Sequence, residues 1–137
     1  AIIIACAGLI RLGLEKRITK ILTADVCLPA VGQGALAIEF KKDDIDTFAL
    51  IKNLINKNTA YAISAERAMN EQLEGDCSSA IAGYAYVIED KIKLRGLVGD
   101  IETNKILQDE LVGNLNQAKN LGVDLANRLI EKAQKNY

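Results

Sequence analysis

Residues 81–112 read IAGYAYVIEDKIKLRGLVGDIETNKILQDELV, and this stretch decides the fold. It contains three segments rich in β-branched and other apolar residues, which favour extended strands. The segments are Ile81–Ile88, residues 91–98 and residues 105–112. A tight turn at Glu89 and Asp90 joins the first two, and a polar turn at residues 100–104 joins the other two. Because both connections are short, the stretch predicts a three-stranded antiparallel meander.

The residues after the meander have helical periodicity. From about Gln117 onward, apolar side chains recur every three or four residues, which places them in one stripe along a helix. The stripe consists of Ala118, Leu121, Leu125, Leu129 and Ala133. A helix with one apolar stripe can cover one face of a small sheet. The chain from residue 58 onward is therefore predicted to form a compact α+β unit.

Two further helices are predicted before the meander. Asp43 and Asp44 open the first, where their charges complement the helix dipole, and its apolar face recurs at helical spacing. That face consists of Ile45, Phe48, Ile51 and Ile55. Residues 56–58 are polar and end this helix, and Thr59 is a plausible N-cap for the second. The second helix has Ala62, Ala65, Met69 and Leu73 on one side and ends at Gly75.

The first forty residues have weaker periodicity. The continuous apolar run of residues 1–7 predicts a buried strand closed by Gly8, and residues 9–14 predict a short helix. Residues 23–34 include Pro29, Gly32 and Gly34, which indicates a crossover loop. Residues 36–40 predict a second strand. Ala1 is not an initiator methionine and leads directly into an apolar run, so we expect the chain to be a fragment of a longer protein.

Bulk composition excludes several classes of function. Seventeen basic and eighteen acidic residues nearly cancel, so no overall field indicates a nucleic-acid or membrane partner. The opening apolar run is far shorter than the roughly 20 residues that cross a bilayer. Three widely spaced cysteines without any histidine fit a reducing cytoplasm and argue against a metal site.

Cys77 is the residue most open to a chemical role. It follows a predicted helix end and precedes Ser78 and Ser79, so it is expected on a loop where a thiol can be exposed. A free cysteine is nevertheless more often a buried packing residue, and Asp76 beside it disfavours the thiolate. Cys6 and Cys27 are interpreted as small packing residues.

Two other groups could bind a ligand. Gly32, Gln33 and Gly34 allow a ligand close to the backbone, although an interdomain turn explains them better than a nucleotide site does. Arginine is suited to binding carboxylates, which makes Arg11, Arg17 and Arg67 candidates. The alternative is that each is a solvated surface charge, and for Arg17 that interpretation is favoured.

Several motifs together resemble porphobilinogen deaminases. They are AGLIRLGL at residues 7–14, LPAVGQGA at residues 28–35, AERAMN at residues 65–70, LEGDC at residues 73–77 and LRGLVG at residues 94–99. Their order and spacing are similar to the C-terminal half of that family. Asp76 and Ala80 stand where the family usually has a glycine and a proline.

The resemblance implies a three-domain α/β enzyme. Two of its domains resemble periplasmic binding proteins, and the third is a small antiparallel sheet covered by helices. By this resemblance, residues 1–27 end domain 2, residues 28–56 form a return strand and helix of domain 1, and residues 57–137 form domain 3. The fold class implied for the chain is α+β.

The resemblance also implies a transferase of heme biosynthesis that polymerises four porphobilinogen molecules into hydroxymethylbilane with release of ammonia. A dipyrromethane cofactor would be attached covalently to Cys77, and Arg11 would bind its carboxylates. Ala5, Gly8, Gln33 and Gly34 correspond to further cofactor contacts, and Arg67 is a weaker candidate.

The catalytic aspartate of the family falls in the half that this chain lacks, so the chain alone is expected to be inactive. The full-length enzyme is expected to be cytoplasmic and monomeric, without a metal. The alternative is a non-enzymatic α+β binding or regulatory module with a packed cysteine. A thiol redox enzyme ranks last, because the chain has no Cys-x-x-Cys pair.

Overall fold

The computed structural model describes residues 1–75, 79–100 and 103–135. Its helices are α1 (Cys6–Arg11), α2 (Ile45–Ile51), α3 (Lys57–Gln72) and α4 (Ala118–Lys135). Its strands are β1 (Ile81–Ile88), β2 (Lys91–Asp100) and β3 (Lys105–Asn114). Short 3-10 turns occupy Glu15–Arg17, Lys52–Leu54 and Leu115–Gln117. None of the helices in these ranges is long and apolar enough to cross a membrane.

The three strands form the predicted antiparallel meander in the order β1-β2-β3. Ile81 pairs with Val98 across the first hairpin, and Lys91 pairs with Asn114 across the second. Glu89 and Asn104 both have a φ of 54°, the left-handed conformation that tight turns require. The second and third strands each extend two residues beyond the prediction. Gly99 and Asp100 of β2 pair with β3, and Gly113 and Asn114 of β3 pair with β2.

The core lies between one face of this sheet and helices α3 and α4, which confirms the α+β fold class. Ile92 and Leu94 of β2 are fully buried against Met69 of α3 and against Leu125 and Leu129 of α4. The helices approach closely at Gly122, where a Cβ atom would collide with the backbone of α3. Alternating strand residues and one stripe from each helix therefore enclose a single apolar layer.

The two helices predicted directly before the meander both form. The start of α2 agrees with the prediction, and the start of α3 does not. Asp44 is the N-cap of α2, and its carboxylate accepts hydrogen bonds from the backbone N–H of Thr47 at 2.9 Å and from the Thr47 hydroxyl at 2.6 Å. The prediction that Thr59 caps α3 is wrong. Asn56 is the N-cap, and its side chain accepts a hydrogen bond from the backbone N–H of Thr59 at 3.0 Å.

The predictions of a strand at residues 1–7 and of another at residues 36–40 are wrong. Residues 1–5 are irregular and lead into α1, which begins three residues before the predicted helix, and residues 36–40 are also irregular. Strands need a partner to satisfy their backbone groups, and the described residues offer these segments none. Ile2 and Leu36 are accordingly 83% and 89% exposed. Cys27 is exposed as well, so its interpretation as a packing residue is wrong, whereas Cys6 is half-buried.

Candidate functional site

A cleft of about 500 Å³ lies where the first 35 residues meet α3 and β1. One wall is formed by Ala5, Cys6 and Ala7 together with the loop of residues 29–35. The opposite side is formed by the first half of α3 and by residues 84–87 of β1. The cleft thus joins a segment near the N-terminus to the edge of the C-terminal sheet.

Glu66 is the one charged side chain among the described residues that line the cleft. It is 5% exposed, and its carboxylate accepts two backbone hydrogen bonds of 2.7 Å, one from Gly32 in the loop and one from Ala85 in β1. Burial raises the pKa of Glu66 above its ordinary value, and the two amide donors offset that effect only in part. A buried carboxylate therefore bridges the loop and the sheet.

The loop of residues 29–35 has two further constraints. The Pro29 carbonyl accepts a hydrogen bond of 3.2 Å from Gly83 N–H at the edge of β1, and the Gln33 side-chain oxygen accepts one of 3.1 Å from Ala30 N–H. Gly32 has a φ of +74°, a conformation that favours glycine. The side-chain nitrogen of Gln33 donates to none of the described residues, so it is available to a ligand in the cleft.

Two tyrosines of β1 complete the cleft on the sheet side. The rings of Tyr84 and Tyr86 lie 5.5 Å apart between centroids and are tilted by 32°. Tyrosine combines an aromatic face with a hydroxyl that can exchange hydrogen bonds. This wall therefore suits a planar ring that carries polar substituents.

Besides the contacts of Gly32 and Pro29, an ion pair between Asp25 and Arg95 connects the segment before the loop to the sheet. Arg95 of β2 donates a hydrogen bond of 2.7 Å to the Asp25 carboxylate and lies 3.9 Å from Glu110. Asp25, Pro29 and Gly32 thus each contact the C-terminal unit, and they do so at successive points of one segment. These contacts hold the segment that contains the loop of residues 29–35 against the C-terminal unit.

Comparison with known families identifies the chain. Residues 60–131 match the model of the porphobilinogen deaminase C-terminal domain. The chain belongs to the porphobilinogen deaminase family. Residues 1–49 match a second model of this family, described as the dipyromethane cofactor binding domain.

Two relatives from the porphobilinogen deaminase family illustrate the similarity. The chain is 50% identical over 134 residues to the porphobilinogen deaminase of Ruthia magnifica subsp. Calyptogena magnifica, and 52% identical over 130 residues to that of Vesicomyosocius okutanii subsp. Calyptogena okutanii (strain HA). These alignments cover 98% and 95% of this chain but 44% and 43% of the relatives. The chain therefore spans less than half the length of the porphobilinogen deaminases it matches.

The cleft brings together part of the predicted cofactor site of a porphobilinogen deaminase. Ala5, Gln33 and Gly34 line it, whereas Gly8 and Arg11 lie on α1 outside the lining. Arg67 is exposed on α3 and forms no ion pair with the described residues. Cys77 lies outside the described residues, in the connection between α3 and β1.

The sequence analysis missed Glu66. Its position carried a signal, because Glu66 lies four residues after Ala62 and three before Met69, within the apolar stripe of α3. A charged residue in a buried stripe requires specific partners, since an unpaired buried carboxylate is costly. Sequence periodicity could have indicated that Glu66 is buried, but not that its partners are two backbone amides.

Proposed function

We propose that this chain is the C-terminal part of a porphobilinogen deaminase, a transferase of heme biosynthesis. The full-length enzyme would join four porphobilinogen molecules into hydroxymethylbilane with release of ammonia. The proposal rests on one observation: two domain models of one enzyme family match the chain, and a relative is 50% identical to it over 134 residues. This match favours the enzyme over a non-catalytic α+β binding module.

The proposed domain partition follows the resemblance. Residues 1–27 would end domain 2, residues 28–56 would belong to domain 1, and residues 57–137 would form domain 3. The core supports the last assignment, because its buried apolar residues all belong to α3, the sheet and α4. We also propose a cytoplasmic, monomeric full-length enzyme with a small-molecule substrate. The three widely spaced cysteines, which fit a reducing compartment, support the cytoplasmic location.

The cleft fits a dipyrromethane cofactor in part. Its volume and the Tyr84 and Tyr86 rings suit pyrrole rings, and the free side-chain nitrogen of Gln33 can donate a hydrogen bond to a carboxylate oxygen of such a ligand. The acetate and propionate groups of such a cofactor need cations, and no Lys or Arg lies among the described lining residues. Arg11, on the helix whose first residues line the cleft, is the cation that we assign to these carboxylates. Ala5, Gly8 and Gly34 would contact the cofactor, and Arg67 is a weaker candidate.

Cys77 is the proposed point of covalent attachment. It ends the LEGDC motif of residues 73–77, which resembles the stretch around the family's anchor cysteine. When bound there through a thioether, the cofactor would supply the primer to which pyrroles are added. A tether of this kind keeps a growing chain close to the reacting groups and makes each coupling effectively intramolecular.

Intact-mass measurement of the full-length enzyme tests the attachment. We expect the wild-type protein to carry the mass of a dipyrromethane and Cys77→Ser to lack it. Cys27→Ser is the matched control, because Cys27 is exposed on the same chain and should leave the added mass unchanged. An active wild-type enzyme with an unmodified Cys77 would reject the proposed attachment.

A further inference from the structure

The burial of Glu66 costs free energy that specific contacts must offset. Glutamate is rarely fully buried, because removing its charge from water costs free energy unless that charge is paired or hydrogen-bonded. Glu66 is 5% exposed and has no Lys or Arg partner among the described residues. Its compensation comes from two backbone N–H groups, each at 2.7 Å from a different carboxylate oxygen. Charge-assisted hydrogen bonds of this length are among the stronger ones in proteins.

The two donors belong to parts of the chain that face each other across the carboxylate. Gly32 lies in the loop of residues 29–35, which precedes Glu66 by more than thirty positions, and Ala85 lies in the edge strand β1. The outward N–H of an edge strand has no neighbouring strand to pair with. Glu66 satisfies that group and the loop N–H at once, so the carboxylate joins the loop to the sheet edge.

The position of Gln33 depends on this junction. Gln33 immediately follows Gly32, and its side-chain oxygen is occupied by the N–H of Ala30. A loop released from Glu66 would keep the Pro29 contact with Gly83 but lose the contact next to Gln33. The Gln33 nitrogen that faces no described partner would then no longer be held at the cleft.

We propose that Glu66 is a positioning residue, which fixes the loop of residues 29–35 against β1 and so holds Gln33 in place for the pyrrole ligand. The part of this inference that concerns ligand binding rests on the proposed function. The contact between Glu66 and the loop stands independently of it. Displacement of a positioned group by about 1 Å can lower a rate substantially, so loosening the loop should reduce turnover.

Glu66→Gln in the full-length enzyme tests the proposal. The glutamine oxygen can accept only one of the two amides, and its NH2 group would then face the other N–H. We expect hydrogen exchange in the peptide spanning residues 28–35 to become about tenfold faster or more, as the loss of a charge-assisted hydrogen bond implies. We expect kcat to fall about tenfold per folded enzyme, with a smaller change in KM.

Two further variants control for folding and charge. Glu71→Gln makes the same chemical change at an exposed position of α3 and should leave both exchange and kinetics at wild-type values. Glu66→Asp keeps the charge but is one methylene shorter, so it cannot reach both amides. If Glu66→Gln does not fold, Glu66→Asp should show the same faster exchange and lower kcat.

The outcomes separate this inference from the proposed function. Wild-type exchange of residues 28–35 in folded Glu66→Gln would overturn the contact. Wild-type kinetics per folded enzyme, despite faster exchange or a lower Tm, would overturn the positioning role and leave Glu66 only structural. If the wild-type full-length protein releases no ammonia from porphobilinogen, the proposed function itself fails, whatever the exchange rates show.

Discussion

Asp109 of β3 joins the sheet to α4 through two cations. Its carboxylate lies 2.9 Å from Arg128 Nε and 3.0 Å from Lys132 Nζ. Burial acts to raise the pKa of Asp109, but the Lys132 hydrogen bond, the Glu110 N–H and the charges of Lys132 and Arg128 outweigh it and lower that pKa. The ionised form is therefore stabilised more in the folded chain than in the unfolded chain.

We predict that Asp109→Asn lowers the free energy of unfolding by about 1 kcal/mol at pH 7, because the variant loses these charge-assisted contacts. A carboxyl whose folded pKa is depressed contributes stability above its unfolded pKa and loses it as the pH falls through the folded pKa. The difference between wild type and variant should therefore shrink in acid. Urea unfolding followed by circular dichroism at several pH values measures this.

Asp124→Asn is the control for the Asp109 prediction. Asp124 is exposed on α4 and forms no ion pair with the described residues, so its substitution should change the free energy of unfolding little. A difference between wild type and Asp109→Asn that stays constant from neutral to acid pH would contradict the ionic explanation.

At the scale of elements, α3 is the helix on which both the core and the cleft depend. It contributes Met69 to the apolar layer and Glu66 to the cleft, and its first turn is fixed by a side-chain cap. The sequence analysis predicted Thr59 as that cap and interpreted Asn56 only as part of the polar end of the preceding helix. The structure selects Asn56, whose oxygen accepts the backbone N–H of Thr59.

We predict that Asn56→Ala lowers the free energy of unfolding by about 1 kcal/mol, the usual cost of removing an N-cap side chain. Thr59→Ala should cost less, because the alanine keeps the backbone N–H that Asn56 binds and raises the helix propensity of the first turn. Thermal unfolding of the two variants beside wild type compares them directly. An equal or larger loss in Thr59→Ala would contradict the assignment of the cap.

The elements that the sequence predicted well are those with local partners. The meander of β1, β2 and β3 was confirmed because each strand pairs with its neighbour in sequence, so apolar segments and short turns suffice to define it. The run of residues 1–7 has the same apolar character but no such neighbour, and it is not a strand. Apolar periodicity reports a tendency to be buried, whereas strand formation also needs a partner that composition cannot reveal.

At the scale of the whole molecule, the same distinction between local partners and distant partners applies to the cleft. Ala5, Gln33 and Gly34, which the motifs predicted as cofactor contacts, line the cleft, and their role stays a prediction, as do the assignments of Arg11 and Cys77. Glu66 was missed because its role depends on contacts with Gly32 and Ala85, which are brought together only by the folded chain. Long-range contacts to backbone groups leave no trace in the identity of the contacted residues.

Most of the strongly exposed apolar side chains belong to the first 55 residues, which contribute no residue to the buried core. Ile2, Ile3, Leu36 and Leu50 are 83%, 77%, 89% and 80% exposed. The buried apolar core, in contrast, belongs to α3, the sheet and α4. Exposed apolar residues on this scale favour association, since burying them releases free energy in proportion to the area removed from water.

We predict that the 137-residue chain self-associates in solution, and that replacing Ile2, Ile3, Leu36 and Leu50 by Ser makes it largely monomeric. The substituted side chains contribute little to the core, so the Tm should change little. Light scattering across a concentration series measures the association, and a scan by circular dichroism measures the Tm. Association that persists unchanged in the quadruple variant would contradict the prediction, because these four side chains would then not form the associating surface.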